Sequence, residues 1–153
     1  MNFREAVMND LNQLYAFEQK VVEAERPYNA SIKKGKPIYY DMKKLISDSD
    51  SYLIVAEDKG EIISTGYAQI QLSKASLQHE KHAYLGFMYV APSYRGKGLN
   101  KKIIDKLILW SESRGIYDHY LDVYSGNASA IRAYEKIGFK ENMVEMKLNK
   151  ELI

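Results

Sequence analysis

The chain has 153 residues, of which 46% are hydrophobic and 27% are charged, and its formal net charge is +2. This length and balance predict one globular domain spanning 1–153 and exclude a disordered chain, while the small net charge argues against a nucleic-acid partner. The lack of cysteine excludes disulfides and a cysteine nucleophile, and three histidines without metal-ligand spacing lead us to expect no metal site.

The N-terminal part of the chain predicts a strand followed by two helices. Residues 2–7 have a strand pattern, and Asp10 can cap a helix that runs to about Glu25. Apolar residues recur along this helix at helical spacing: Leu11, Leu14, Tyr15, Phe17, Val21 and Val22. An Arg-Pro pair ends the helix, so we expect a loop at 26–39 and a short helix at 40–47.

The middle of the chain predicts three consecutive strands. Residues 51–57 and 61–72 are joined by Asp58-Lys59-Gly60, whose turn chemistry is typical of a hairpin. A polar loop is expected at 73–82. The segment 83–90 is nearly all apolar, as a central strand covered on both faces should be.

The last third of the chain alternates helices and strands. A helix is predicted at 98–114, where apolar residues recur at helical spacing and a glycine follows. We expect a strand at 120–124, then a helix that begins at an Asn127 cap and runs to Ile137, and finally one or two closing strands at 139–148. The order of elements indicates an α/β fold of the mixed type, with a strand–loop–helix–strand unit at its centre.

A glycine-containing loop joins the apolar strand to the helix that follows it. Residues 90–100 read Val-Ala-Pro-Ser-Tyr-Arg-Gly-Lys-Gly-Leu-Asn. Glycines at a helix start leave backbone N–H groups pointing outward, and these add to the positive end of the helix dipole, so the loop predicts a pyrophosphate-type anion site. The loop lacks the Lys-Ser/Thr pair of a P-loop and the third glycine of a dinucleotide fingerprint. An ordinary tight turn is the alternative for the loop taken alone.

A second motif makes the loop more specific. Residues 127–139 read Asn-Ala-Ser-Ala-Ile-Arg-Ala-Tyr-Glu-Lys-Ile-Gly-Phe. Together the two segments resemble the GNAT superfamily of N-acetyltransferases. Arg95 and Gly98 fill the first two places of that family's Gln/Arg-x-x-Gly-x-Gly/Ala pattern, and Asn100 departs from the third. The family's second pattern, Asn-x-x-Ala-x-x-x-Tyr-x-Lys-x-Gly-Phe, is matched by Asn127, Ala130, Tyr134, Lys136, Gly138 and Phe139.

The resemblance implies a GNAT-type twisted mixed β-sheet flanked by helices, with acetyl-CoA as co-substrate and no metal. In the family, pyrophosphate lies on the glycine loop, and pantetheine lies along the preceding strand, which a bulge splays from its neighbour. The residues expected to bind the cofactor are therefore Met88, Tyr89, Val90, Arg95, Gly96, Lys97, Gly98, Leu99, Asn100, Lys101 and Asn127. A solvated helix face is the alternative for Lys97 and Lys101, and a plain helix cap is the alternative for Asn127.

Two tyrosines are predicted to be catalytic, Tyr134 by the resemblance and Tyr84 at a position where this chain departs from it. Direct transfer to an amine requires a polarised carbonyl, a neutral amine and a stabilised thiolate. By resemblance Tyr134 lies beside the thioester sulfur and protonates the thiolate, with a core role as its alternative. Many family members carry a glutamate where this chain has Tyr84, and tyrosine is a poor base near neutral pH. We therefore expect the amine proton to leave through water, with Tyr84 positioning either that water or the acceptor by hydrogen bonding. Remote carboxylates such as Glu57 or Glu145 could supply a relay, although nothing in the sequence places them near Tyr84.

These features predict a cytoplasmic, acetyl-CoA-dependent N-acetyltransferase whose acceptor is a small-molecule amine or a peptide amine. Transfer of another acyl group, O-acylation and a non-catalytic CoA-binding sensor stay open as alternatives. The acceptor is expected to depend on the loops 26–39 and 73–82, the second of which carries His79 and His82. No apolar run is long enough for a membrane span, and the N-terminus lacks a signal-peptide core. A homodimer is a base-rate expectation only.

Overall fold

The computed structural model describes residues 1–152 of the chain. These residues form two compact units, the first comprising 1–122 and the second beginning at Val123. The prediction of one domain over 1–153 stays a prediction, and Ile153 lies outside the described residues.

The first unit is built on a five-stranded sheet whose strands follow one another in chain order. The strands are β1 (Asn2–Glu5), β2 (Ser51–Asp58), β3 (Glu61–Leu72), β4 (Lys81–Val90) and β5 (His119–Tyr120). Each of the first four is antiparallel to its neighbour, and β5 pairs with β4 in parallel. The predicted mixed sheet is therefore confirmed.

Helices cover both faces of this sheet. The helices α1 (Leu11–Glu25) and α2 (Met42–Ser47) pack on one face, where Val55 and Phe87 are buried. The helix α3 (Leu99–Ser113) packs on the other face, where Leu99 meets Ala56 and Ile63. Neighbouring residues of a strand point to opposite faces, so the continuous apolar run in β2 is buried on both sides.

Because residue 66 on β3 is glycine, α3 can approach the sheet closely. A Cβ atom at this position would lie 2.5 Å from Cγ2 of Ile103 and 3.3 Å from Cδ1 of Leu107. Both of these α3 side chains are fully buried. The helix that begins at the glycine loop is therefore held against the middle of the sheet by direct packing.

The start of α1 is held by an ion-pair network and not by the predicted Asp10 cap. Arg4 donates to both carboxylate oxygens of Asp10 at 2.7 and 2.9 Å and to Glu57 at 2.7 Å. The Asp10 carboxylate also accepts the backbone N–H of Val7. These bonds from Arg4 hold the pKa of Asp10 below its usual range. They also commit Glu57 to a structural role.

The second unit contains α4 (Ala128–Ile137), which begins as predicted at Asn127. The Asn127 side-chain oxygen accepts the backbone N–H of Ala130 at 3.3 Å, and Gly138 ends the helix at φ 120°. The prediction of closing strands at 139–148 is wrong, because the structure shows no strand between α4 and residue 152. The predicted strand at 120–124 is also shorter than expected, since β5 ends at Tyr120.

Candidate active site

The glycine loop presents a row of unpartnered backbone N–H groups at the start of α3. Gly96 and Gly98 have φ values of 78° and 76°, and no atom lies within 4 Å of a Cβ added at either, so the backbone conformation and not lack of space requires glycine. The first helical bond runs from the N–H of Lys102 to the carbonyl of Gly98. None of the backbone N–H groups of residues 96–101 donates a hydrogen bond to an acceptor within the described chain. Such a row is suited to an anion.

The basic side chains of the loop are fixed in place by aromatic rings. The Arg95 guanidinium lies 5.2 Å from the ring centroid of Tyr89, and its Nε donates to the Val90 carbonyl at 3.0 Å. The Lys97 ammonium lies 5.4 Å from the ring centroid of Tyr94. Cations placed over ring faces are held without losing their charge to a carboxylate, so both remain available to an anion.

The remaining two loop positions differ in their surroundings. Lys101 donates to Asp105 at 2.8 Å, so part of its charge is already neutralised. Asn100 is half-buried, and its side-chain oxygen is buried without a hydrogen-bond donor from the described residues. A buried acceptor without a donor is unfavourable, so a ligand that brings a donor would gain a bond there.

The strand β4 carries the bulge that the family resemblance implies. Its pairing with β3 changes register between Thr65 and Tyr67, and Phe87 on β4 adopts a left-handed φ of 53°. The N–H of Ala91 donates to the carbonyl of Ile63 on β3. Since alternate residues of a strand face alternate edges, the N–H groups of Met88 and Val90 face the opposite edge, towards β5.

Within the first unit, the edge of β4 that faces β5 is unpaired along most of its length. The two strands pair only at Ala83 with His119 and at Tyr84 with Tyr120. Beyond Tyr84 the sheet offers backbone groups to which an extended ligand could add as a strand. This open edge leads directly into the glycine loop.

Four tyrosine rings, each next to the following one, form a row that ends on β4. We call Tyr39, Tyr40, Tyr67 and Tyr84 the tyrosine row. Their ring centroids are separated by 5.7, 5.9 and 6.4 Å in that order. The Tyr67 ring lies over Gly86, where a Cβ would be 2.6 Å from its hydroxyl. The row therefore crosses from the α1–α2 segment to β4.

The Tyr84 hydroxyl is a donor and not a base. It donates to a carboxylate oxygen of Asp122 at 2.8 Å. Burial and then this hydrogen bond raise the pKa of Tyr84 well above its usual value. Burial followed by the charge of Asp122 raises the pKa of Tyr67 to about 12. At neutral pH both hydroxyls hold their protons, which agrees with the expectation that Tyr84 does not deprotonate the acceptor.

The carboxylates nearest the tyrosine row are ones that sequence reasoning missed. Asp122 follows the C-terminal end of β5, which is where ligand-binding residues of parallel strands occur, and this position was the available signal. Glu25 is half-buried on α1. Burial raises the pKa of Glu25. Its signal was an acid seven residues after Glu18 on the inward stripe of α1.

Glu18 positions the start of the tyrosine row. Its side chain is 2% exposed, and its carboxylate accepts the backbone N–H groups of Tyr39 and Tyr40 at 2.9 and 3.0 Å. A buried carboxylate satisfied by two backbone donors fixes the segment against α1. Of the two remote carboxylates considered from the sequence, Glu57 is bound by Arg4 and Glu145 belongs to the second unit.

His79 of the β3–β4 loop and His82 near the start of β4 belong to one hydrogen-bonded cluster, so the predicted loop at 73–82 ends two residues earlier than expected. The Ser73 hydroxyl lies 2.6 Å from Nδ1 of His79 and 2.9 Å from Nδ1 of His82. Nε2 of His79 lies 2.9 Å from the hydroxyl of Tyr120 on β5. Burial, followed by the neighbouring His79, lowers the pKa of His82. These contacts tie the loop to β5, and a role in lining the acceptor site stays a prediction.

The second unit carries the two remaining predicted site residues. Tyr134 is half-buried on α4, and its ring centroid lies 6.1 Å from that of Phe139. Its backbone carbonyl accepts the N–H groups of Gly138 and Phe139. The roles predicted for Tyr134 in protonating the thiolate and for Asn127 in binding pantetheine stay predictions.

Residues 1–152 contain neither a cluster of metal-ligating side chains nor a membrane-spanning helix. No group of three or more His, Cys, Asp or Glu side chains there could hold a metal ion. None of the helices there has both the length and the apolar character needed to cross a bilayer.

Comparison with known proteins relates this geometry to curated relatives. The ribosomal protein bS18 alanine N-acetyltransferase of Escherichia coli K12 is 32% identical over 82 residues, which cover 54% of this chain and 50% of that protein. The L-methionine sulfoximine/L-methionine sulfone acetyltransferase of Salmonella typhimurium LT2 is 28% identical over 101 residues, which cover 66% and 56%. The chain thus spans about half the length of the curated relatives it matches.

Solved structures and a family model complete the comparison. A tetramutant of the BH1408 protein from Bacillus halodurans has a TM-score of 0.86 at 21% identity, covering 97% of this chain and 99% of that one. A predicted acetyltransferase from Clostridium acetobutylicum, solved with acetyl-CoA, has a TM-score of 0.76 at 20% identity, covering 99% and 97%. At these identities the likeness shows the fold. The model described as the acetyltransferase (GNAT) family matches residues 9–139, so the chain belongs to the GNAT acetyltransferase family.

Proposed function

We propose that this protein is an acetyl-CoA-dependent N-acetyltransferase that transfers the acetyl group directly from the thioester to a primary amine. One observation carries the proposal. The open edge of β4 runs into a loop whose N–H groups at 96–101 have no acceptor in the described chain. An extended arm that ends in a pyrophosphate matches this combination of strand edge and anion site. The acetyltransferases among the relatives and the family membership support the same reaction.

The residues of this chain have distinct parts in that reaction. Acetyl-CoA supplies an activated thioester, so no covalent intermediate with the protein is required. The backbone N–H groups of Met88 and Val90, on the open edge of β4, bind the extended arm of the co-substrate and polarise its thioester carbonyl. The N–H groups of 96–101, with Arg95 and Lys97, bind the pyrophosphate. Tyr134 donates a proton to the leaving thiolate.

The alternatives from the sequence give different outcomes in one assay. Transfer of another acyl group predicts faster turnover with a donor other than acetyl-CoA, and O-acylation predicts turnover with hydroxyl acceptors. A CoA-binding sensor predicts binding without any release of thiol. A cytoplasmic location and a homodimer stay predictions.

The test of the proposal combines thiol release with cofactor binding. Purified protein is incubated with acetyl-CoA and a panel of primary amines, and free thiol is measured over time. We expect release that depends on the amine. CoA binding by calorimetry without thiol release from any amine would favour the sensor, and no binding at all would contradict the proposal.

A matched pair of variants locates the cofactor. Gly98→Glu places a negative side chain in the loop and should weaken CoA binding by about tenfold or more, which is at least about 1.4 kcal/mol. Gly115→Glu is the control, because Gly115 has nearly the same φ, 77°, and the same open space but follows the other end of α3. Equal affinity in both variants would place the cofactor elsewhere.

A further inference from the structure

One residue inside a strand of the sheet has a strained backbone. Phe87 on β4 has a φ of 53°, which a bulky side chain adopts rarely and keeps only where its surroundings hold it. The other non-glycine residue with a positive φ in the described chain is Lys59. It belongs to the turn between β2 and β3, where this conformation is usual. Strain like that of Phe87 clusters at functional sites.

The side chain of Phe87 is anchored between α1 and the segment before α2. It is 2% exposed, and its ring centroid lies 4.7 Å from that of Tyr40 and 6.3 Å from that of Phe17. The backbone N–H of Tyr40 is in turn bound by the buried carboxylate of Glu18 at 3.0 Å. These contacts hold the bulged residue against the core.

Two buried hydroxyls of β3 hold the backbone of β4 at and after Phe87. Thr65 Oγ1 donates to the carbonyl of Phe87 at 2.7 Å, and Ser64 Oγ donates to the carbonyl of Tyr89 at 3.0 Å. We call Ser64 and Thr65 the hydroxyl pair. Both residues are fully buried, and a buried hydroxyl needs a hydrogen-bond partner. The pair finds its partners in the backbone of the bulge.

The direction of a carbonyl fixes the direction of the next N–H. In a planar trans peptide, the C=O of one residue and the N–H of the following residue point in opposite directions. The carbonyl of Phe87 shares its peptide with the N–H of Met88, and the carbonyl of Tyr89 shares its peptide with the N–H of Val90. The hydroxyl pair draws both carbonyls towards β3. Both N–H groups are therefore aimed away from β3, at the open edge of β4.

The same bonds strengthen the two N–H groups as donors. A hydrogen bond accepted by a C=O polarises its peptide, which makes the N–H of that peptide a stronger donor. The register shift between Thr65 and Tyr67 disrupts the ladder of backbone bonds here, so side-chain donors add support where the bulge has weakened it. Donors that are already fixed stabilise charge on a carbonyl oxygen without reorganising during the reaction.

Building on the proposed acetyl transfer, we propose that Ser64 and Thr65 are positioning residues for the reaction. Each holds one peptide of β4, so that the N–H groups of Met88 and Val90 point at the thioester oxygen. As the amine nitrogen bonds to the acetyl carbon, negative charge develops on this oxygen, and the two N–H groups stabilise it. The carbon–sulfur bond then breaks, the nitrogen loses its proton to water, and the thiolate takes up a proton.

Thr65→Val tests the role directly, because it keeps the branched shape and removes the hydroxyl. We expect the single-turnover rate of acetyl transfer to fall about tenfold or more, while the Kd of CoA stays within about twofold because the loop at 96–101 is untouched. Ser64→Ala should act in the same direction. Thr65→Ser restores the hydroxyl and should recover most of the rate. A loss in Thr65→Ser as large as that in Thr65→Val would contradict the proposal.

A buried hydroxyl elsewhere in the first unit supplies the matched control. Ser111 is fully buried on α3, and its Oγ donates to the carbonyl of Leu107 at 2.9 Å. Ser111→Ala loses the same kind of bond away from β4, so it should lower the melting temperature and leave the rate of acetyl transfer unchanged. Equal losses of rate in Ser111→Ala and Thr65→Val would show an effect of stability alone and would overturn the proposal.

A spectroscopic measurement separates failure of this inference from failure of the proposed function. Acetyl-CoA labelled with a heavy carbon isotope at the thioester carbonyl is bound to the protein without an amine, and its carbonyl stretch is recorded by infrared difference spectroscopy. We expect binding to lower the frequency, by less in Thr65→Val and Ser64→Ala than in the wild type or Ser111→Ala. That result supports the positioning role even if no amine releases thiol. A frequency that is unchanged by binding, or lowered equally in all variants, refutes the role, and amine-dependent thiol release would still establish the transfer reaction.

Discussion

At the scale of single residues, the site has an acid beside β4 and not on it. Many family members carry a glutamate where this chain has Tyr84, and the structure gives Tyr84 a hydrogen bond to Asp122 instead. The phenol holds its proton and donates it in this bond. The acid nearest this position of β4 is thus supplied by the segment after β5.

Tyr134 is predicted to protonate the leaving thiolate. Tyr134→Phe keeps the ring, which packs near Phe139, and removes the proton donor. We expect turnover to fall by about 10²–10⁴-fold, or less if the thiolate leaves easily, while the Kd of CoA is unchanged. Steady-state kinetics and calorimetry measure the two effects. Tyr117→Phe, at an exposed tyrosine, is the control, and full turnover in Tyr134→Phe would make Tyr134 structural.

Asn100 departs from the family pattern, and its buried side-chain oxygen has no donor in the described chain. We expect the side chain to face the cofactor, so Asn100→Ala should weaken CoA binding a few-fold, on the order of 1 kcal/mol. The same change removes an unsatisfied buried acceptor, so the melting temperature of the free protein should not fall. Unchanged CoA affinity in calorimetry would show that Asn100 does not contact the cofactor.

The glycine loop could be predicted from sequence, whereas the contact between Asp122 and Tyr84 could not. The loop works through its own backbone, so a local pattern is enough to reveal it. Asp122 meets Tyr84 from a distant part of the chain, and their contact depends on how β5 pairs with β4. The position of Asp122 after a strand marks it as a candidate, but it does not identify Tyr84 as its partner.

At the scale of elements, α3 links the anion site to the core. Its first turn presents the N–H groups of the loop, and its buried side packs on the sheet at Gly66. A shift of the helix would therefore move the N–H groups away from the open edge of β4.

The packing at Gly66 can be tested through stability. Gly66→Ala adds a Cβ 2.5 Å from Cγ2 of Ile103, so we expect the free energy of unfolding to fall by about 1–3 kcal/mol. Urea denaturation measures the loss. Ile103→Ala removes the opposing methyl group, so the double variant should be less destabilised than the sum of the two single variants. Additive losses would show that the two side chains do not meet.

The elements themselves were largely predictable because their patterns are local. The helices α1 and α3 begin and end within one or two residues of expectation, since Pro27 interrupts the helical pattern after α1 and glycines flank α3. The prediction of closing strands at 139–148 is wrong for a different reason. Val144, Met146 and Leu148 alternate as a strand does, but a strand also needs a hydrogen-bonding neighbour, which alternation does not supply.

At the scale of the molecule, the first unit concentrates positive charge at the glycine loop, although the net charge of the chain is only +2. Arg95 and Lys97 lie over aromatic rings there, and neither forms an ion pair with a carboxylate of the described residues. An anionic co-substrate would thus be drawn to the loop.

The pH dependence of the whole reaction reports where the acceptor's proton goes. If no side chain acts as a dedicated base, the rate rises with pH as the amine loses its proton, and the inflection follows the pKa of the amine. The pKa of Tyr84 is raised, so its hydroxyl stays protonated over the pH range of the measurement. Tyr84 therefore adds no inflection near neutral pH. We expect two monoamines of well-separated pKa to give separated profiles. One shared inflection, lost in Asp122→Asn, would instead identify Asp122 as the base.

The open edge of β4 has a consequence for the free protein. Amide hydrogens without an acceptor exchange with solvent readily, so those of Met88 and Val90 should exchange quickly, whereas Ala91, bonded to Ile63, should be slow. If a pantetheine arm occupies the edge, it supplies the missing neighbour and slows exchange at alternate residues only. The co-substrate would then act as a temporary strand of the sheet, and its occupancy could be followed residue by residue by hydrogen exchange.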